Sequence, residues 1–232
     1  MIYITGDTHI PIDIEKLNSN NFDTTGLTKD DYVIICGDFG GIWNYKGPDK
    51  EEVYWLDWLE NKPFTTLFVD GNHENFERLY KFEEVMWNGG RVHKIRDSIL
   101  HLMRGQIFTI DNQTFFTMGG ATSIDRGPLV GREEEHKNKI WWSEEIPNEE
   151  EMQEGRDNLQ KYNNEVDYII THCLPTSELK KLFSFAKGDK LNAYHEEVLN
   201  TVKYKHWYCG HYHKNIDLDN NITVLYDDII KL

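Results

Sequence analysis

The chain is short of cysteine, of proline, of positive charge and of long apolar runs, and each shortage closes off a class of protein. Three cysteines in 232 residues are an odd number, which argues against the disulfide framework of a small secreted scaffold. Six prolines are scattered singly, and no linker, internal repeat or low-complexity tract divides the sequence. The longest apolar runs, such as Tyr32 to Cys36, are far too short to cross a bilayer. Lys and Arg number 25 against 40 Asp and Glu, a formal net charge of −15. So acidic a chain lacks the positive field that drives non-specific binding to long nucleic acid. It would also repel small anions unless local cations invert the field, as bound metals do. The balance favours a small phosphate-bearing ligand. Asp7 follows the first apolar run so early that no signal peptide is expected before it, which makes a cytoplasmic protein the expectation.

What is present suffices for a sizeable core: 39% apolar and 13% aromatic residues, in a length that fits one domain over residues 1–232. Five short segments stand out: Gly6-Asp7-Thr8-His9, Gly37-Asp38, Gly71-Asn72-His73-Glu74, Thr171-His172 and Gly210-His211-Tyr212-His213. Each follows a run of apolar β-formers, such as Ile2-Tyr3-Ile4, Tyr32 to Ile35 or Thr66 to Val69. Asp, Asn and His are the side chains a cluster of divalent metals needs. Ligands at the ends of several buried strands can converge on one edge of a sheet.

The pattern around these segments predicts strands at 2–5 and 32–36, a short helix near 13–18, and a helix opened by the capping-box spacing of Asp49 and Glu52 and stopped by Pro63. A strand at 65–69 and a helix from Asn75 to about Phe82 follow. Short runs from Arg91 to Met118, separated by Arg104-Gly105 and Asp111-Asn112, read as an antiparallel meander. Residues 121–148 are irregular and read as a candidate lid. Helices are expected over 149–163, 176–185 and 190–203, and strands at 166–171, 206–209, 214–218 and 222–226. Helices and strands mixed in this way imply two packed sheets with helices outside.

Asp7 and His9 are two apart, so on an extended segment both point the same way and can chelate one ion; His211 and His213 share that spacing. A pair of metals needs a shared carboxylate, and Asp38, at the end of a buried strand, is the candidate bridge. Asn72 offers an amide oxygen and His172 an imidazole. Two divalent ions against two carboxylates leave the centre cationic, able to accept a bridging hydroxide and a phosphate oxygen. Mixed imidazole and oxygen ligation suits Mn, Fe, Co, Ni or Zn better than Mg or Ca, with Mn placed first. His73, next to Asn72, faces elsewhere and is the candidate acid for a leaving alkoxide; either Asp70 or Glu74 could orient it.

In this order the motifs resemble those of the calcineurin-like metallophosphoesterases: Asp-x-His, Gly-Asp, Gly-Asn-His-Asp/Glu, His and Gly-His-x-His, over nearly the whole chain. The resemblance implies an α/β fold, a four-layer αββα sandwich of two mixed sheets flanked by helices. It also implies Asp7, His9, Asp38 and His213 around one metal, Asp38, Asn72, His172 and His211 around the other, and His73 near the leaving group. Two departures stand out. Ile10-Pro11 replaces the glycine often found after the first His. The second motif continues Phe39-Gly40-Gly41 and lacks the Asp-Arg-Gly arginine of protein Ser/Thr phosphatases. The expected activity is a dinuclear phosphoesterase, with monoesters of a small or nucleotide-like substrate ahead of diesters and a non-catalytic metal-binding scaffold last. No membrane partner is expected.

Arg126, Arg132 and Arg78 are candidate phosphate ligands, and Trp43, Trp141 and Trp142 could wall an apolar site, although packing is the simpler role for the tryptophans. Cys36, Cys173 and Cys209 lie near proposed ligands, but packing again has preference. His93, His101, His136, His195 and His206 have no comparable context.

Overall fold

The computed structural model describes residues 1–123 and 141–232. Two mixed sheets face each other. In the first, β1 (Ile2–Thr5), β2 (Tyr32–Ile35), β3 (Thr65–Phe68) and β6 (Ile99–Leu102) run parallel as neighbours. Antiparallel strands flank them: β13 (Ile229–Lys231) beside β1, then β5 (Gly90–Arg96) and β4 (Glu83–Trp87) beyond β6. The second sheet repeats the plan. Parallel β8 (Gln113–Met118), β9 (Tyr168–Thr171), β10 (His206–Cys209) and β12 (Ile222–Val224) lie between antiparallel β7 (Gln106–Ile110) and β11 (Ile216–Leu218).

Three apolar clusters separate four layers. Ile4, Ile34, Leu67 and Leu102 of the first sheet meet Phe108, Phe115 and Ile170 of the second. Burying each such side chain fully contributes about 1.5–3 kcal/mol. The outer face of the first sheet packs Val33, Ile35 and Phe68 against Leu56 and Leu59 of α1 (Lys50–Glu60) and against Ile14 and Leu17 of a 3-10 turn, Ile14–Leu17. The outer face of the second packs against α3 (Glu149–Lys161), α4 (Thr176–Leu182) and α5 (Lys190–Thr201) through Met152, Leu179 and Val198.

Local chemistry explains where the helices start. Asp49 accepts from Glu52 N at 2.8 Å ahead of α1, and Asn148 and Glu151 bond each other's backbone amides at 2.9 and 2.7 Å ahead of α3. These bonds satisfy amides that the first helical turn leaves without partners. The helix expected from Asn75 to about Phe82 is a single turn, α2 (Phe76–Leu79), capped by the Asn75 side chain. The chain then enters β4, which the sequence did not announce. The expected meander is divided: β4, β5 and β6 close the first sheet, and the Arg104-Gly105 turn passes the chain to β7 and β8 of the second. Of the irregular segment read as a lid, residues 124–140 lie outside the described residues; a 3-10 turn, Ser143–Glu145, precedes α3. No helix among the described residues is long and apolar enough to cross a membrane.

Candidate metal centre

Five of the parallel strands, β1, β2 and β3 in one sheet and β9 and β10 in the other, deliver their C-terminal loops to a common edge. Those loops carry Asp7 and His9, Asp38, Asn72 and His73, His172, and His211 and His213. Three overlapping groups form, each with potential ligand atoms within 4.8 Å of one another: Asp7, His9 and His213; His9, Asp38 and His73; Asp38, His172 and His211. Asp38 divides its carboxylate, with Oδ2 3.2 Å from His9 Nε2 and Oδ1 3.2 Å from His172 Nε2. His213 Nε2 lies 3.4 Å from Asp7 Oδ2. Asp7, Asp38, Asn72 and His172 are buried, His9, His73 and His211 half-buried, and His213 exposed.

The glycines of the motifs make this approach possible. A Cβ on Gly37 would overlap the His172 ring, one on Gly71 the Asp38 carboxylate and amide, and one on Gly210 Asp7 Oδ1. These three glycines each clear space for a side chain of a different motif, whereas a Cβ on Gly6 would meet the Leu225 and Tyr226 backbone. The loops are also bound to one another. Thr8 and His9 amides donate to Asp38 O at 3.0 and 2.8 Å, the His73 amide to Asp38 Oδ1 at 2.8 Å, and the His211 amide to Asp7 Oδ1 at 2.9 Å. Four of the gathered residues, His9, Asp38, His211 and His213, have positive φ, from 32° to 71°. Such backbone costs energy for a residue with a side chain and persists where its surroundings impose it.

Second contacts fix which ring nitrogen faces the cluster. His172 Nδ1 lies 2.8 Å from Cys36 O and His9 Nδ1 2.7 Å from Asp13 Oδ2, so both rings turn Nε2 inward. Burial opposes ionisation of Asp38, but His172 and His9 outweigh it and hold its carboxyl well below the usual range. Burial likewise opposes charge on His172, yet Asp38 and Asp7 raise it to about 9. His211 is pushed down to about 4 by burial and by the neighbouring His172. Burial and then Asp38 push the pKa of the Glu74 carboxyl up, and its Oε1 accepts from Phe39 N at 2.7 Å.

Other candidates are placed differently. Arg78 is held bidentately by Glu52 at 2.7 and 2.5 Å and donates to Asn44 O at 2.9 Å, bonds that brace the loop under Trp43. Arg126 and Arg132 lie outside the described residues, as does His136. Trp43 is half-buried with its ring 5.4 Å from His73 and 5.7 Å from Trp142. Trp142 is fully buried, and Trp141 half-buried. Burial keeps the thiols of Cys36, Cys173 and Cys209 well above their ordinary pKa, as packed side chains. Asp70 engages His101 through Oδ1 at 3.0 Å and Arg104 through Oδ2 at 2.9 and 2.5 Å. Arg104, His101, Asp13 and Tyr226 were not singled out from the sequence, because no motif or spacing marks them.

The donors suit divalent metal ions. Among the described residues Asn72 Oδ1 is buried with no hydrogen-bond partner, and His172 Nε2, also buried, faces Asp38 Oδ1 at 3.2 Å without hydrogen-bonding geometry. Atoms left this way cost about 1–3 kcal/mol each unless something else satisfies them. Two carboxylates, an amide oxygen and several imidazoles form a set typical of borderline transition metals. A model of the calcineurin-like phosphoesterase family matches residues 1–215. No curated protein matches the chain.

Proposed function

We propose a dinuclear mechanism for this chain, which belongs to the calcineurin-like phosphoesterase family and is a metal-dependent hydrolase acting on phosphoester bonds. In this reading Asp7, His9, Asp38 and His213 hold one divalent ion, and Asp38, Asn72, His172 and His211 hold the second. The supporting observation is the divided Asp38 carboxylate, each oxygen 3.2 Å from an imidazole of a different group. That disposition is what a bridging ligand requires. Two ions held there would supply a nucleophile at neutral pH and stabilise charge on the phosphoryl oxygens.

The chain's own residues do the rest. His73 is kept close to Asp38 by its amide bond and stands 5.3 Å, ring to ring, from His9. It is the residue we assign to protonate the departing oxygen. The aromatic face of Trp43 beside it favours a flat substituent on the leaving group. Phosphomonoesters of small or nucleotide-like molecules are the preferred substrates, diesters the second reading, and manganese the preferred metal. With para-nitrophenyl phosphate and its bis-ester assayed across Mn, Zn, Co and Ni, faster hydrolysis of the monoester is expected. Faster hydrolysis of the bis-ester would reverse the preference. His73→Ala should lower turnover by about 10²–10⁴, and Asp38→Asn should lower it with loss of bound metal. Near wild-type rates in both variants would defeat the mechanism.

A further inference from the structure

Asp13 occupies the N-cap position of the 3-10 turn Ile14–Leu17, yet its side chain makes no capping bond. A carboxylate there ordinarily accepts from the first turn's amides. Here Oδ2 lies 2.7 Å from His9 Nδ1 and Oδ1 accepts from the Tyr226 hydroxyl at 3.0 Å. The Tyr226 ring in turn stacks on His213, with centroids 4.6 Å apart and planes within 11°. One tyrosine thus reaches His9 through Asp13 and His213 through its face, the two imidazoles grouped with Asp7. None of these contacts involves His172, His211 or Asn72.

Tyr226 is itself held on several sides. Lys16 Nζ donates both to Tyr226 O and, at 2.6 Å, to Asp7 O. Asn215 Oδ1 accepts from the amides of Tyr226, Asp227 and Asp228 at 2.7, 3.1 and 3.3 Å, which ties the turn to the loop that carries His213. Tyr226 falls beyond residue 215, where the family match ends, while Asp13 lies within the matched residues.

We propose that Asp13 and Tyr226 are positioning residues for one ion of the pair, the one assigned to Asp7, His9, Asp38 and His213, and set its affinity separately from the other. The inference rests on the dinuclear reading above. A ligating histidine that donates its second ring N–H to a carboxylate has its tautomer and orientation fixed and its basicity raised. The tyrosine hydroxyl aims that carboxylate. Its ring restrains His213, whose side chain is 52% exposed and would otherwise lose rotamer freedom on binding.

Cobalt(II) provides the test, titrated into metal-free protein, with visible absorption and elemental analysis as readouts. Wild type should take up two ions per chain. Asp13→Asn and Tyr226→Phe should weaken one binding event by about 10–100-fold, alter the absorption of that ion alone, and leave the other event within twofold. Tyr226→Leu, which also removes the stacked ring, should weaken the same event further than Tyr226→Phe. Tyr226→Phe keeps the shape of the side chain, so the test survives misfolding of the other two variants. Two ions in wild type with both events unchanged in the variants, or both weakened alike, overturns the inference and spares the dinuclear reading. Fewer than two ions in wild type overturns that reading and this inference with it.

Discussion

Replacing Gly71 by alanine tests whether the motif glycines exist to let ligands approach. A Cβ at this position would lie 2.8 Å from Asp38 Cγ, where ordinary contact begins near 3.4 Å, and would overlap the Asp38 amide as well. Rotating the carboxylate cannot relieve the clash with the Asp38 amide nitrogen, 2.3 Å away, so the loops after β2 and β3 must separate by about 1 Å to reach ordinary contact. Overpacking of this kind costs about 1–3 kcal/mol, which for a chain of this length lowers Tm by about 2–4 °C per kcal/mol. A displacement approaching 1 Å costs about 10²-fold in rate, so turnover should fall about 10–100-fold. Gly26→Ala is the control. Nothing lies within 4 Å of its Cβ, but its φ of +79° imposes about 1–2 kcal/mol of strain. Both variants should lose similar stability by thermal unfolding, and only Gly71→Ala should lose metal and activity. Equal turnover in the two would refute the reasoning.

Arg104→Met should leave the buried Asp70 with His101 as its remaining side-chain contact among the described residues, costing about 3–5 kcal/mol; a urea midpoint unchanged from wild type would contradict this role for Arg104. His195 is fully buried and burial pushes its pKa down to about 4, below an unfolded value of about 6.5, so the unfolded chain binds the extra proton more tightly. Stability is therefore lost as pH falls from about 6.5 toward 4, by about 2 kcal/mol between pH 7 and 5 for this group alone. His195→Phe should lack that increment when the two proteins are compared by urea unfolding at both pH values; parallel losses would exclude the assignment. Chelation should abolish hydrolysis and lower stability by about 2.7 kcal/mol for each ion present at 100 times its Kd; full activity in excess chelator would remove the metal requirement.

The sequence announces strands that are apolar and buried, and those strands carry the candidate ligands. Ile2–Thr5, Tyr32–Ile35, Thr65–Phe68, Tyr168–Thr171 and His206–Cys209 all read as compact runs of β-formers because both their faces are covered. The two edge strands of the first sheet give no such signal. β4 is mostly exposed and begins with two glutamates, and β13 is three residues long. The division of the meander between the sheets was hidden because strand runs look alike whichever sheet receives them. The braces around the site were less legible still: Asp13 and Tyr226 are 213 residues apart, and Arg104 reaches Asp70 across 34. Contacts at such separations leave no periodicity in the chain.

The gathered ligands straddle a seam. Three loops come from the first sheet and two from the second, while the layer between the sheets is apolar and non-directional. Greasy contact alone tolerates a small slide of one sheet over the other; a coordination sphere does not. Ions joining Asp7 and Asp38 to His172, His211 and His213 would rivet the two halves at one rim and leave the far rim to hydrophobic adhesion. The sandwich would then open like a book, with its binding at the rim that carries the candidate ligands.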